Sequence, residues 1–375
     1  MQKTNTKDMT SGNPAKLLLF FAVPLMLGNL FQQMYTMVDT IIVGKGVGVE
    51  ALASLGAADW LNWLFLGLVT GLTQGFSIQM AQLYGAGQKE RLKQTIGNAV
   101  FLTAAAAVLF VLVGQAGLRF FLDLMHTPEN IYAGAEIYLR IMFGGIPVIL
   151  AYNLSAAMLR ALGDGKTPLY AMILAACINV VLDLLFVMVF HWGIPGAAAA
   201  TVIAQVFSFV YCFVSIRKIE AFRIRREDLR LQSATVSRLL MLGMPVMFQN
   251  IIISVGGMVL QSVINEFGFI FVAGFTATNK LYGLLEMAAI SFGYAVTTYT
   301  GQNLGAGRLD RIRTGMRSAM IMAAVTSVLV SAVMLIFGRS ILQLFVSGDP
   351  DQIDEVVRIA YHYLSVMSYF LVILY

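Results

Sequence analysis

Ten apolar runs succeed one another along this chain, near 16–43, 51–82, 95–117, 131–160, 168–190, 196–216, 238–265, 270–302, 314–337 and 354–375. A helix needs about 20 apolar residues to cross a hydrocarbon core of roughly 30 Å. No water reaches the backbone there, so only helices and closed barrels cross it. Barrel strands would alternate apolar and polar residues, and these runs do not. Charged residues make up 12% of the chain, against about 25% in a soluble domain, so a water-soluble globule could not be covered. The reading is an all-α, polytopic membrane protein of about ten spans. Several runs exceed a single crossing, so tilt or interfacial ends are expected.

Basic residues set the orientation. The N-terminal tail and the loops after spans 2, 4, 6 and 8 hold nineteen of the 25 Lys and Arg, the opposite loops hold Lys45, Arg119, Arg339 and Arg358, and Arg140 and Lys280 fall within spans. Positive charge stays on the cytoplasmic side. The N-terminus is therefore expected in the cytoplasm of a cell whose plasma (bacterial inner) membrane holds the protein in many passes. The same placement accounts for the basic pI of about 9.1 without a nucleic-acid partner. Cys177 and Cys212 both sit inside apolar runs, and His126, His191 and His362 are scattered, so neither a disulfide framework nor a metal site is expected. No cleavable signal pattern precedes the first run.

The chain repeats itself. Gln82-Leu-Tyr-Gly85-Ala-Gly87 with Arg91 answers Gln302-Asn-Leu-Gly305-Ala-Gly307 with Arg311, an offset of 220 at each matched position. Gly48, Ala53 and Leu124 find Gly268, Ala273 and Leu344 at the same offset, and Pro24 finds Pro245 at 221. Six spans per repeat keep both halves in one orientation, which is the parallel type of duplication. The organisation read from this is an N-terminal six-helix lobe over 1–216, a charged cytoplasmic linker over 217–237 and a C-terminal lobe over 238–375. Tyr363, Leu364 and Met367 match Tyr138, Leu139 and Met142. The second bundle is therefore expected to be incomplete, with about four helices and about 65–75 residues without a counterpart. The chain reads as a fragment of a twelve-span protein.

Polar groups inside spans are costly, so each needs a reason. Asp39 lies toward the outer end of span 1, and Gln32, Tyr35 and Asp39 share a helix face at i, i+3 and i+7. Asn179 and Asp183, at i and i+4, share a face of span 5. Burial disfavours the charged form of a carboxylate, so such a group is able to load a proton and release it when the site becomes wet. The plainer reading is that these side chains only hold helices together. Pro24 removes a backbone hydrogen bond and can kink span 1. Asp59, Lys280 and Glu286 are read as a packed or cavity-facing polar patch.

Four segments carry a family resemblance over essentially the whole chain: Pro24 to Gly44, ending Val38-Asp39-Thr40-Ile-Ile-Val-Gly44; Arg160-Ala-Leu-Gly163-Asp164-Gly165-Lys166-Thr167-Pro168; Asn179-Val-Val-Leu-Asp183; and Gly193-Ile-Pro-Gly196-Ala-Ala-Ala-Ala-Thr201. The sequence resembles the multidrug and toxic compound extrusion family, in the bacterial and archaeal branch whose coupling carboxylates lie in the N-terminal lobe. Another branch carries a glutamate about eight residues after the span 7 proline, where this chain has Ile253. The resemblance implies that Asp39, Asn179, Asp183 and Thr201 form a cation or proton site, that Gln32, Tyr35 and Asn153 line the adjoining substrate cavity, and that Pro24 is a helix hinge. It further implies a monomeric antiporter in the lipid bilayer, exporting small organic cations in exchange for H+ or Na+, with no cofactor beyond that coupling ion.

Other activities fit less well. Gly165-Lys166-Thr167 imitates the end of a phosphate-binding loop, but position 160 is Arg and no strand precedes it. No nucleophile elbow, metalloprotease pattern or Cys/His pair appears, so an enzyme is not expected. An intramembrane enzyme using the two aspartates is not what a six-plus-six repeat suggests. The alternative with most support is a lipid-linked oligosaccharide flippase of related fold. That would call for several cavity cations, and only Arg140 and Lys280 offer themselves.

Overall fold

The computed structural model describes residues 5–267, 269–343 and 350–374, and among them there is helix and loop but no strand. Helix α1 (Pro14–Gly46) begins where Asn13 accepts a hydrogen bond from the Lys16 amide, with Pro14 supplying a preset φ. It is followed by α2 (Val49–Gly85) and α3 (Lys89–Leu124), then by α4 (Glu129–Gly144) and α5 (Ile146–Ala161). Next come α6 (Lys166–Asp183), α7 (Ile194–Ile216), α8 (Ser233–Asn265), α9 (Phe269–Gly305), α10 (Leu309–Gln343) and α11 (Pro350–Leu374). Seven of these helices are long and apolar enough to cross a membrane, eight if the bent pair α4–α5 is one span.

Among the described residues, which leave out Tyr375 of the last run, the expected spans fall on helix, with two departures. The run 131–160 is not straight: α4 and α5 meet at 49°, because Pro147 has no amide to offer the Phe143 carbonyl. The linker is shorter than expected, since α8 starts at Ser233 and its polar first turn, Ser233 to Arg238, continues the helix beyond the apolar run. The linker itself is pinned to α3. The Asn98 side chain donates to the Arg230 carbonyl at 3.2 Å and accepts from the Gln232 amide at 2.9 Å.

Helices α1 to α7 pack on one another as one lobe and α9 to α11 as a second, while α8 lies mainly along α2. Interior clusters hold Leu118, Leu139 and Leu150 in the first lobe and Leu342, Val357 and Leu364 in the second. The outward faces carry Phe101, Leu112, Phe120, Leu329 and Ile336, as surfaces against lipid tails would. With lipid as apolar as these side chains, helix association relies on close backbone approach at small residues. Gly67, Gly71 and Gly75, four apart on α2, meet Asn250, Met247 and Gly243 of α8. An Asn250 amide to Gly67 carbonyl hydrogen bond of 2.9 Å adds to that seam.

The duplication is visible in the backbone. A Cβ on Gly85 would collide with the Gln302 carbonyl, and a Cβ on Gly305 with the Gln82 carbonyl. These are the same contact exchanged between the halves, so the ends of α2 and α9 touch about a pseudo-two-fold axis. Both helices end in the same cap. Gly87 and Gly307 adopt φ of +69° and +71°, and their amides reach the Tyr84 and Leu304 carbonyls at 3.0 and 3.1 Å, the left-handed C-cap that favours glycine.

Candidate functional site

Asp39 and Asp183 come together. Asp39 projects from α1 and Asp183 is the last residue of α6, and these two helices pack side by side in the first lobe. Gly28 lets them approach, its position taken up against Met172 and Leu169 of α6. The two carboxyl groups lie within hydrogen-bonding reach of each other. Asp183 and Asn179 have no exposed surface and Asp39 is 8% exposed. Among the described residues, Asp39 Oδ1, both Asp183 oxygens and Asn179 Oδ1 are buried without a donor.

Buried acceptors without donors are rare and costly. Two facing carboxylates are costlier still, since they repel unless something positive lies between them. The arrangement is an acceptor-rich pocket suited to one small cation or one proton. Asn179 is held from the other side by Thr201 of α7, its Nδ2 donating to Thr201 Oγ1 at 3.4 Å.

Local backbone shapes the pocket. The Thr36 and Thr40 hydroxyls donate to the Gln32 and Thr36 carbonyls at 3.0 and 2.8 Å, a back-bonding pattern that bends helices, just around Asp39. Immediately after Asp183 the chain widens into six π-helical residues, Leu184–Val189, a form that concentrates at functional sites. Pro24 lies inside α1, which continues through it with the Phe20 carbonyl deprived of its amide donor.

Of the other expected residues, Tyr35 joins the pair, lying within electrostatic reach of both carboxylates. Gln32 is exposed one turn earlier on α1. Asn153 is turned to its own helix, donating to the Ile149 carbonyl at 2.8 Å, and is not brought to the carboxylates by any contact among the described residues. Asp59 is exposed on α2 and Glu286 is half-buried on α9, in the other lobe. The side chain of Lys280 lies outside the described residues. Arg140 is engaged with Glu136 and with Gln115 Oε1 at 3.4 Å, so it is not a free cavity cation. Sequence spacing does not single out Tyr138 of α4, yet it is buried where it feels the charges of Asp39, Asp59 and Asp183. Its only sequence signal was the match to Tyr363. Among the described residues, no group of three or more His, Cys, Asp or Glu is placed to hold a metal ion.

The MatE family model matches the chain twice, over residues 24–185 and 245–375. The two matches start at Pro24 and Pro245, the pair offset by 221 that marks the repeat. The chain belongs to the MatE family. Among its relatives, a probable multidrug resistance protein, YpnP of Bacillus subtilis, is 34% identical over 348 residues, covering 92% of this chain and 77% of the relative. An FAD transporter of Shewanella oneidensis is 24% identical over 90% of this chain and 76% of its own length. A MOP superfamily transporter from Pyrococcus furiosus superposes with a TM-score of 0.90 at 25% identity, covering 99% of this chain and 82% of that one. The outward-facing conformation of a multidrug resistance MATE family transporter gives 0.88 at 23% identity, covering 99% and 84%. At that identity the likeness speaks for the fold. As a MatE protein the chain is a multi-pass membrane transporter and not an enzyme.

Proposed function

We propose that this MatE protein is a secondary antiporter, exporting small organic cations in exchange for H+ or Na+ across the plasma membrane, with its N-terminus in the cytoplasm. The observation that carries the reading is the buried carboxylate pair, in which Asp39 Oδ1 and both Asp183 oxygens have no hydrogen-bond donor among the described residues. Multidrug resistance proteins among its relatives support drug-like substrates, and the excess of Lys and Arg on the N-terminal face supports the orientation.

The mechanism proposed for it runs through this pocket. With both carboxylates ionised, repulsion across the α1–α6 seam favours an open, wetted pocket. A proton or sodium ion entering between Asp39 and Asp183 neutralises that repulsion, and Asn179, oriented by Thr201, offers its carbonyl oxygen as a further ligand. The seam then closes, and α1 yields at Pro24, where one backbone hydrogen bond is already missing. Closing this pocket shifts Gln32 and Tyr35, which share α1 with Asp39, so the organic cation leaves as the inorganic one enters. The ion is released on the cytoplasmic side when the lobes exchange access. One-for-one exchange of an organic cation for H+ or Na+ moves no net charge, so the coupling ion's concentration gradient is the driving force: a tenfold ion gradient, about 1.4 kcal/mol, sustains about a tenfold ratio of the exported compound.

The test is efflux of a fluorescent organic cation from proteoliposomes, with an imposed pH gradient and an imposed sodium gradient in turn. The proposal expects one gradient to drive efflux. Efflux at the passive leak rate under both gradients would overturn it.

A further inference from the structure

The short segment ahead of α1 runs through the seam between the two lobes. Met9 is fully buried there. Its amide donates to Gln302 Oε1 at 2.9 Å, and its carbonyl accepts from Asn303 Nδ2 at 3.1 Å and Arg311 Nη2 at 3.3 Å. The Thr10 carbonyl accepts from Arg308 Nη1 at 2.8 Å. All four partners, Gln302, Asn303, Arg308 and Arg311, lie at the end of α9, in the turn that follows it and at the start of α10, in the second lobe.

The same segment is bonded to the first lobe. The Lys7 amide donates to the Leu162 carbonyl at 3.0 Å, and Asn5 Nδ2 reaches Thr167 Oγ1 at 3.5 Å. Gly163, at φ +79°, lies directly against the Lys7 carbonyl, leaving no room for a side chain. Gln302, itself fully buried, bonds the Met9 amide while donating Nε2 to the Ala161 carbonyl at 2.9 Å. One side chain of the second lobe thus holds the segment and the first lobe together.

The counterpart ahead of α8 is the linker, and it too crosses to the opposite lobe, where Asn98 of α3 grips Arg230 and Gln232. The two straps differ in one respect: the linker must join the lobes, whereas nothing in the lobes' connectivity requires the segment before α1. Its bonds to both lobes coexist with Gly85 and Gly305 pressed against the opposite helix ends. Lobes that part at this face must break the hydrogen bonds at Met9 and Thr10 or those at Lys7 and Asn5.

We propose that residues 5–12 are a latch that holds the basic face closed, and that transport requires its release from one lobe in each cycle. This rests on the alternating-access reading above and adds a gate to it. Asp8 keeps the latch folded when free, its carboxylate accepting from the Thr10 amide and hydroxyl at 2.7 and 2.6 Å, so that the segment re-enters the seam as a preformed turn.

The experiment measures the distance between spin labels at Arg91→Cys and Arg313→Cys, exposed positions near the basic ends of α3 and α10, in nanodiscs without any gradient or substrate. The full chain is compared with a chain lacking residues 2–11, with Gln302→Ala, and with Met9→Asp, which forces a charge into the buried slot. Losing two or more buried hydrogen bonds implies about a fivefold or larger rise in the long-distance population. A synthetic peptide of residues 1–12, added to the shortened chain, should restore the short distance. Should the shortened chain fail to fold, the two point variants carry the same test. Unchanged distances in the variants that fold would overturn the latch. Since no ion gradient enters the measurement, that failure leaves the antiport reading standing, and a failure of gradient-driven efflux leaves the latch standing.

Discussion

Gly85→Ala and Gly305→Ala should each push the two lobes apart at the basic face without unfolding either one. In the structure an added Cβ at Gly85 runs into the Gln302 carbonyl, and at Gly305 into the Gln82 carbonyl, rigid backbone in both cases. Neither a rotamer change nor a side-chain shift relieves that overlap, so α2 and α9 must separate. Overpacking of this kind costs about 1–3 kcal/mol. The collision joins the lobes and lies inside neither, so the cost falls on the closed arrangement. At about 1.4 kcal/mol per tenfold, the closed-to-open ratio should fall by roughly five- to 150-fold. The two substitutions are related by the pseudo-two-fold axis and should give similar shifts. Together they should be less than additive, because one separation relieves both. Gly56→Ala on α2, where a Cβ meets nothing within 4 Å, is the control, with a helix-propensity gain of about 0.5–1 kcal/mol and no change of distance. The Arg91 and Arg313 spin labels read the population, and melting in detergent reads stability. The reasoning is refuted if Gly85→Ala matches Gly56→Ala in distance, or if it lowers the melting temperature with no change of distance.

Two further predictions concern single helices. Asp164→Ala should destabilise the protein by at least about 2 kcal/mol, seen as a lower melting temperature. The buried carboxylate it removes accepts from the Lys166 and Thr167 amides at 3.0 and 2.9 Å and from the Thr167 hydroxyl, capping α6; Asp164→Asn, which keeps an acceptor oxygen, should lose less. Pro24→Ala should return an amide donor to the Phe20 carbonyl, raising the melting temperature by an amount corresponding to as much as about 3 kcal/mol while slowing organic-cation efflux. A variant both more stable and equally fast would remove Pro24 as a hinge.

Much of this architecture was legible because hydrophobic length is a strong signal. The apolar runs located the helices, and the matching Gly85-Ala-Gly87 and Gly305-Ala-Gly307 located the repeat before its two-fold contact was seen. Charge and Gly/Pro breaks put the end of the sixth apolar run at 216, where α7 ends. The same logic placed the start of α8 five residues late, since Ser233 to Ser237 form a polar helical turn that an apolar count passes over. Spacing put Asp39 on one helix face and Asp183 with Asn179 on another, but which faces meet is a tertiary fact. Tyr138 is hidden for that reason: a tyrosine amid apolar neighbours shows nothing in sequence of the carboxylates whose charges reach it. The buried place of Met9 was equally hidden, because its partners lie about 290 to 300 residues away and engage its backbone, which any residue type would offer.

The most direct test of the central claim compares Asp183→Asn with the unaltered protein in proteoliposomes, measuring gradient-driven uphill efflux beside gradient-free exchange of the same organic cation. The asparagine keeps the shape of the pocket and supplies a donor to Asp39, but cannot take up a proton or balance a sodium ion. The account predicts that exchange persists while uphill efflux falls to the leak rate under either gradient. Uphill efflux at the unaltered rate in Asp183→Asn would contradict it, and the carboxylate pair would then be a structural contact between α1 and α6.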